Sequence, residues 1–98
     1  MTVSTIKKTA EKHHAWVAEM GWTKTSPLEQ LALIASEVGE AVNECRGETP
    51  TDNLGQELAD VVLRTFDMAE SLGIDIQAEI QKKMALNKLK GNYKARAK

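Results

Sequence analysis

Between its breakers the chain repeats apolar residues at intervals of three and four. Nowhere does it alternate apolar and polar residues as a half-buried strand requires. Only two prolines and six glycines are present, read as standing where helices would break, and Leu, Ala, Glu and Lys dominate. These features predict an all-α protein. Its 98 residues make one domain, read as a helical unit over residues 1–90 and a short basic, mobile tail over 91–98. Folding at this size buries roughly two-thirds of the unfolded surface, which is enough for one modest core. Apolar residues at 42% and charged residues at 28% are an ordinary soluble balance. No apolar run is long enough to span a bilayer, and residues 1–12 lack a signal-peptide apolar stretch. The single Cys45 excludes an internal disulfide framework and a cysteine zinc site. Together these features fit the cytoplasm.

Four helices follow from local signals. The first is expected over residues 3–20, with Val3, Ile6, Ala10, Val17 and Met20 on one stripe and Gly21 as the C′ residue. The second begins at the capping box Ser26-Pro27-Leu28-Glu29, with proline at the first helical position, and is expected to reach Arg46 before Gly47. The third starts near Asn53 or Leu54 and stops before Gly73. The fourth is capped by Asp75 and runs to Lys90. Short links predict a four-helix bundle, mostly antiparallel between neighbours.

The second and third helices are unusually broad in their apolar faces. Leu28, Leu31, Ala32, Ile34, Ala35, Val38, Ala41 and Val42 form one arc, wider than a minimal amphipathic stripe. Leu54, Leu58, Ala59, Val61, Val62, Phe66, Ala69 and Leu72 form the other. A wide arc in a small protein implies burial on two sides, so a homodimer or homotetramer is expected. Charge is also uneven. Residues 1–81 carry a net −8 and residues 82–98 a net +7. The basic end reads either as a solvated tail or as an arm toward phosphates.

Beside the two arcs lie acidic strips: Glu29, Glu37, Glu40 and Glu44 on one helix, and Glu57, Asp60 and Asp67 with Arg64 on the other. Glu37-x-x-Glu40 and Glu57-x-x-Asp60 each place two carboxylates on one helix face, about 4.5 Å apart along the axis. Antiparallel packing of the two helices would converge all four. Such a cluster repels itself and needs cations, protonation or solvent. Oxygen ligands without His or Cys favour Mg²⁺, with Mn²⁺ as an alternative. A di-iron site would want Glu-x-x-His, and neither His13 nor His14 stands in one. Asp67 and Glu70 make a third i,i+3 pair. The plainer reading is a solvated face with Asp60 and Arg64 as an i,i+4 ion pair.

The stretch Ser36-Glu37-Val38-Gly39-Glu40-Ala41, followed by Glu57-Leu58-Ala59-Asp60 with 16 residues between Glu40 and Glu57, resembles the MazG-type all-α nucleoside triphosphate pyrophosphohydrolases. The likeness extends over residues 15–93 and includes Arg46, the run from Glu57 to Asp67, and Lys83-Met-Ala-Leu-Asn87. It implies Mg²⁺-dependent hydrolysis of a nucleoside triphosphate to the monophosphate and pyrophosphate. Glu37, Glu40, Glu57 and Asp60 would be the metal ligands, and Lys83 and Asn87 would contact the nucleotide or its phosphates. Lys90, one turn beyond Asn87, would add positive charge. Glu40 is the candidate general base.

The fourth helix carries a stripe of Ile76, Ile80 and Met84, and Asn87 stands where an apolar residue would continue it. Trp16, with His13 on the first helix and Trp22 beyond it, is a candidate for stacking on the base. Packing of Trp16 and Trp22 in the core and the hairpin is the reading favoured over stacking. A non-catalytic helical module using the basic C-terminus for nucleic acid or a protein partner is the competing function. Four glutamates on the helix that would read DNA make nucleic acid an unfavourable partner. Cys45 has no readable His partner, and neither a serine elbow nor a Walker A loop is present.

Overall fold

The structure is a computed structural model and describes residues 5–22 and 26–90. It contains four helices: α1 (Ile6–Glu19), α2 (Pro27–Asn43), α3 (Leu54–Ser71) and α4 (Ile76–Lys90). Val3, Tyr93 and the 91–98 segment lie outside the described residues. No described helix is long and apolar enough to cross a membrane.

Local chemistry explains most of the boundaries. Thr5 caps α1 by accepting from the Lys8 N–H at 2.9 Å. At α2, Ser26 accepts from the Glu29 N–H and Glu29 reaches back to the Ser26 N–H, so the capping box closes in both directions. Asp75 caps α4 by accepting from the Ala78 N–H at 3.0 Å. Gly21 and Gly73 adopt φ of 78° and 72°, a region other residues enter only with strain. Space around Gly73 is open, so any cost of a side chain there is a backbone cost. Gly73→Ala is expected to destabilise by about 1–2 kcal/mol in a denaturant melt. Gly39→Ala is expected to move stability the other way by about 0.5–1 kcal/mol, because Gly39 sits inside α2 with open space around it.

Gly39 and Gly55 depart from the expectation that glycines mark helix breaks: one is mid-helix and the other is in the first turn of α3. The end of α2 is also earlier than expected, at Asn43 rather than Arg46. The last bonds shorten to the i−3 type at Glu44 and Cys45, and the Glu44 carbonyl accepts from the Thr51 N–H at 2.9 Å. The Glu44 carboxylate takes the Thr51 hydroxyl as well. A bond across the loop thus replaces a further helical turn.

α3 is the centre of the fold. Both α1 and α2 pack along it, α4 leans on α1 and more lightly on α3, and among the described residues the backbone of α2 comes close to neither α1 nor α4. The arrangement is more open than the expected bundle, because α3 separates α1 from its sequence neighbour. The radius of gyration is 15.4 Å, against about 12.5 Å for a compact chain of this length. Side-chain pairs fix α2 and α3 as antiparallel: Gln30 with Ser71 and Glu37 with Arg64, one number rising as the other falls. A bond from the Lys7 N–H to Gln77 Oε1 at 2.8 Å ties α4 to the first turn of α1.

The buried core is small: Ala10, Val17, Ala41, Phe66 and Ala69. Met20 and Met84, expected on apolar stripes, are exposed, as are Leu28, Leu31, Val38 and Val42 of α2 and Leu58, Val62 and Leu72 of α3. The α2 sequence explains this. Gln30, Ile34, Glu37, Ala41 and Glu44 are its covered or half-covered positions, spaced 4, 3, 4 and 3. Leu28, Leu31, Ala35, Val38 and Val42 form a second seam of the same kind, spaced 3, 4, 3 and 4, and all five are exposed. The seam of α2 used within the chain is thus the mixed one, and the wholly apolar seam is not used.

Candidate metal centre and adjoining cleft

Glu37 and Glu40 are one turn apart on α2, and Glu57 faces them from the start of α3. One carboxylate oxygen from each lies within 4.8 Å of the other two. Glu57 Oε1 is buried and has no hydrogen-bond partner among the described residues. Covering that oxygen, together with the charges of Glu40, Asp60, Glu37 and Glu44, pushes the Glu57 carboxyl above its ordinary value. A buried, unpaired acceptor among converging carboxylates fits a hard divalent cation. Two oxygens on opposite sides of one Mg²⁺, each about 2.1 Å from it, would be about 4.2 Å apart. Asp60 stands outside the group of three. It is close enough to act on Glu57, and it lines the cleft next door together with Glu37.

That cleft has a volume of about 540 Å³ and is walled by α1, α2 and α3, within the range of small-molecule sites. His13, Trp16 and Trp22 form an aromatic wall. Trp16 and Trp22 meet edge to face with ring centres 5.2 Å apart, and His13 lies 5.8 Å from Trp16 at a tilt of 33°. The two tryptophans are 46% and 54% exposed, which corrects the expectation that they pack in a core or hairpin. Their rings brace each other, and both residues line the cleft.

Two polar contacts on this wall were not anticipated. Arg64 Nε donates to Glu37 Oε2 at 2.7 Å, so the expected Asp60–Arg64 ion pair gives way to one across the hairpin. His14 Nδ1 bonds Asp67 Oδ1 at 2.8 Å, joining α1 to α3. Both Arg64 and Asp67 line the cleft. The signal for both was present in the spacing. Glu57, Asp60, Arg64 and Asp67 recur at 3, 4 and 3, a seam on one face of α3 that meets α2 at Arg64 and α1 at Asp67.

The α4 candidates stand elsewhere. Lys83 and Lys90 are exposed and Asn87 is half-buried, and no described α4 residue lines the cleft.

No curated protein and no solved structure matches the chain. The family model of the MazG nucleotide pyrophosphohydrolase domain matches residues 25–96, which takes in α2, α3 and α4 with every acidic candidate. The aromatic wall, from His13 to Trp22, precedes the matched segment. With the match covering well over half of its length, the chain belongs to the MazG nucleotide pyrophosphohydrolase family.

Proposed function

We propose that this protein hydrolyses a deoxynucleoside or nucleoside triphosphate between the α and β phosphates in the presence of Mg²⁺, or alternatively Mn²⁺. The observation that carries the reading is the convergence of Glu37, Glu40 and Glu57, with the orphaned Glu57 Oε1, beside a nucleoside-sized cleft. A divalent cation bound by these carboxylates, with Asp60 adjacent, would supply Lewis acidity and neutralise phosphate charge. The chain's own groups do the rest. The aromatic wall of His13, Trp16 and Trp22 offers π faces on which a base can stack. Glu40 is the most exposed member of the group and accepts the proton of the attacking water. The new bond forms from water oxygen to the α phosphorus, and the bridging oxygen leaves with pyrophosphate. Clearing or adjusting a nucleotide pool in the cytoplasm is the role this chemistry serves.

Lys83, Asn87 and Lys90 would contact the phosphates. They do not line the cleft of their own chain, and a second copy of the chain is one source of such contacts. A homodimer or homotetramer is proposed on separate grounds, the unused seam of Leu28, Leu31, Ala35, Val38 and Val42. Light scattering during gel filtration is expected to give at least twice the mass of the chain. Val38→Glu is expected to shift the peak toward monomer, and a wild-type monomer at micromolar concentration would remove the interface.

The reaction is tested by pyrophosphate release from a panel of canonical and modified dNTPs and NTPs, with Mg²⁺ and with EDTA. Turnover is expected to need the metal and to vanish in Glu37→Gln and Glu40→Gln. A folded protein that turns over nothing in the panel with Mg²⁺ or Mn²⁺ would sink the reading. Salt-sensitive nucleic-acid binding would then support the binding-module alternative.

A further inference from the structure

Arg64 brings a positive charge into a wall that is otherwise acidic. Along α3 it lies about 6 Å beyond Asp60 and about 4.5 Å short of Asp67. Asp60 adjoins the carboxylate group, and Asp67 is bonded to α1, the helix of the aromatic wall. A nucleotide with its base on α1 and its reacting α phosphate near Glu57 would lay its sugar along this stretch and bring the α phosphate to the carboxylate end, where the Arg64 guanidinium meets Glu37. Arg64 lines the cleft there.

The pairing of Arg64 is lopsided. Its Nε binds Glu37, whose side chain is 14% exposed, while the Arg64 side chain itself is 44% exposed. Glu37 is its one ion-pair partner in the described structure, although Asp60 is a turn away on the same helix. A guanidinium engaged through Nε still carries two Nη groups in a planar fork, a geometry suited to phosphate oxygens. Glu37 also belongs to the carboxylate group. A divalent cation taking Glu37 must therefore compete with the guanidinium for the same charge.

We propose that Arg64 is a phosphate-binding residue for the nucleotide, held by Glu37 while the carboxylates are metal-free and turned to the phosphates when a divalent cation takes Glu37. The proposal rests on the pyrophosphohydrolase reading above. It makes an unusual demand: removing Arg64 should shift metal and nucleotide affinity in opposite directions. Loss of a merely structural contact would weaken both.

The experiment is calorimetry on wild type, Arg64→Ala and Arg64→Lys. Mn²⁺ is titrated alone, and then, with Mn²⁺ present, an α,β-methylene analogue of the best-hydrolysed triphosphate. Arg64→Ala is expected to bind Mn²⁺ about threefold more tightly, the scale of an exposed ion pair released. It is expected to bind the analogue about tenfold more weakly, the scale of a charged hydrogen bond lost. Arg64→Lys keeps the charge without the fork, so Mn²⁺ affinity should hold while the analogue weakens. It also keeps the test usable if the alanine variant folds poorly. Unchanged analogue binding in both variants, or weaker Mn²⁺ binding in Arg64→Ala, would overturn the proposal for an active wild type. A wild type that binds neither probe fails at the earlier step, and the pyrophosphohydrolase reading fails with it.

Discussion

Glu57→Gln is expected to lower pyrophosphate release by more than about 100-fold, beyond the usual cost of losing an outer partner of a metal site. The same change is expected to raise the melting temperature of the metal-free protein at neutral pH. Both effects come from one arrangement. Glu57 holds a covered oxygen with no donor among the described residues, next to the charges of Glu40, Asp60, Glu37 and Glu44. Its carboxyl sits above the ordinary value in the folded chain, so the folded state holds that proton more tightly than the unfolded state does. Stability of the metal-free protein therefore rises as pH falls through the window from the raised value down to the ordinary one. It is lower above that window, where Glu57 is ionised. Thermal melts in EDTA across that range, repeated with Mg²⁺, check the sign. Mg²⁺ should raise the wild-type midpoint strongly and that of Glu57→Gln little. Full turnover by the variant would remove Glu57 from the metal centre.

Phe66→Ala is expected to cost about 3–5 kcal/mol, a large share of the roughly 5–15 kcal/mol that holds a domain of this kind together. Among the described residues Phe66 is the only aromatic in the buried core, whose other members are a valine and three alanines. It stands on α3, onto which both α1 and α2 pack. A core otherwise made of side chains this small has little with which to fill the void. A drop of more than about 10 °C in melting temperature should follow. Leu89→Ala is the control. Leu89 is 84% exposed, and its loss should stay within about 0.5 kcal/mol. Equal effects of the two changes would mean that the core is misassigned.

What was legible in advance was local. Ser26 with Glu29, Gly21, Gly73 and Asp75 act through bonds or backbone angles within a few residues, so sequence alone located those helix ends. The end of α2 was misjudged because it depends on Thr51, which reaches Glu44 from across a loop. Gly39 and Gly55 were misread because their helices are set by the residues around them. The partner of Arg64 turned on packing. Asp60 and Glu37 offer the same chemistry, and the crossing of α2 over α3 decides between them. The acidic pairs were readable as pairs. That Glu57 joins Glu37 and Glu40 while Asp60 faces the cleft needed the register of the hairpin. The family match supports the fold and the class of reaction, and it begins after the aromatic wall. Preference for a base is therefore the part of the site least tied to the family pattern.

The two bonds between Thr51 and Glu44 have a consequence for how this chain can vary. They close the α2–α3 connection at its base, so residues 45–50 hang outside a knot already tied. Lengthening a loop that is already closed costs little, about 0.6 kcal/mol for each doubling. A peptide tag or reporter inserted between Gly47 and Glu48 would be carried at the free end of that loop. The register that brings Glu40 opposite Glu57 would be set behind it. The hairpin thus separates two inheritances, one segment free to drift in length and another in which a single residue gained or lost would turn the carboxylates apart.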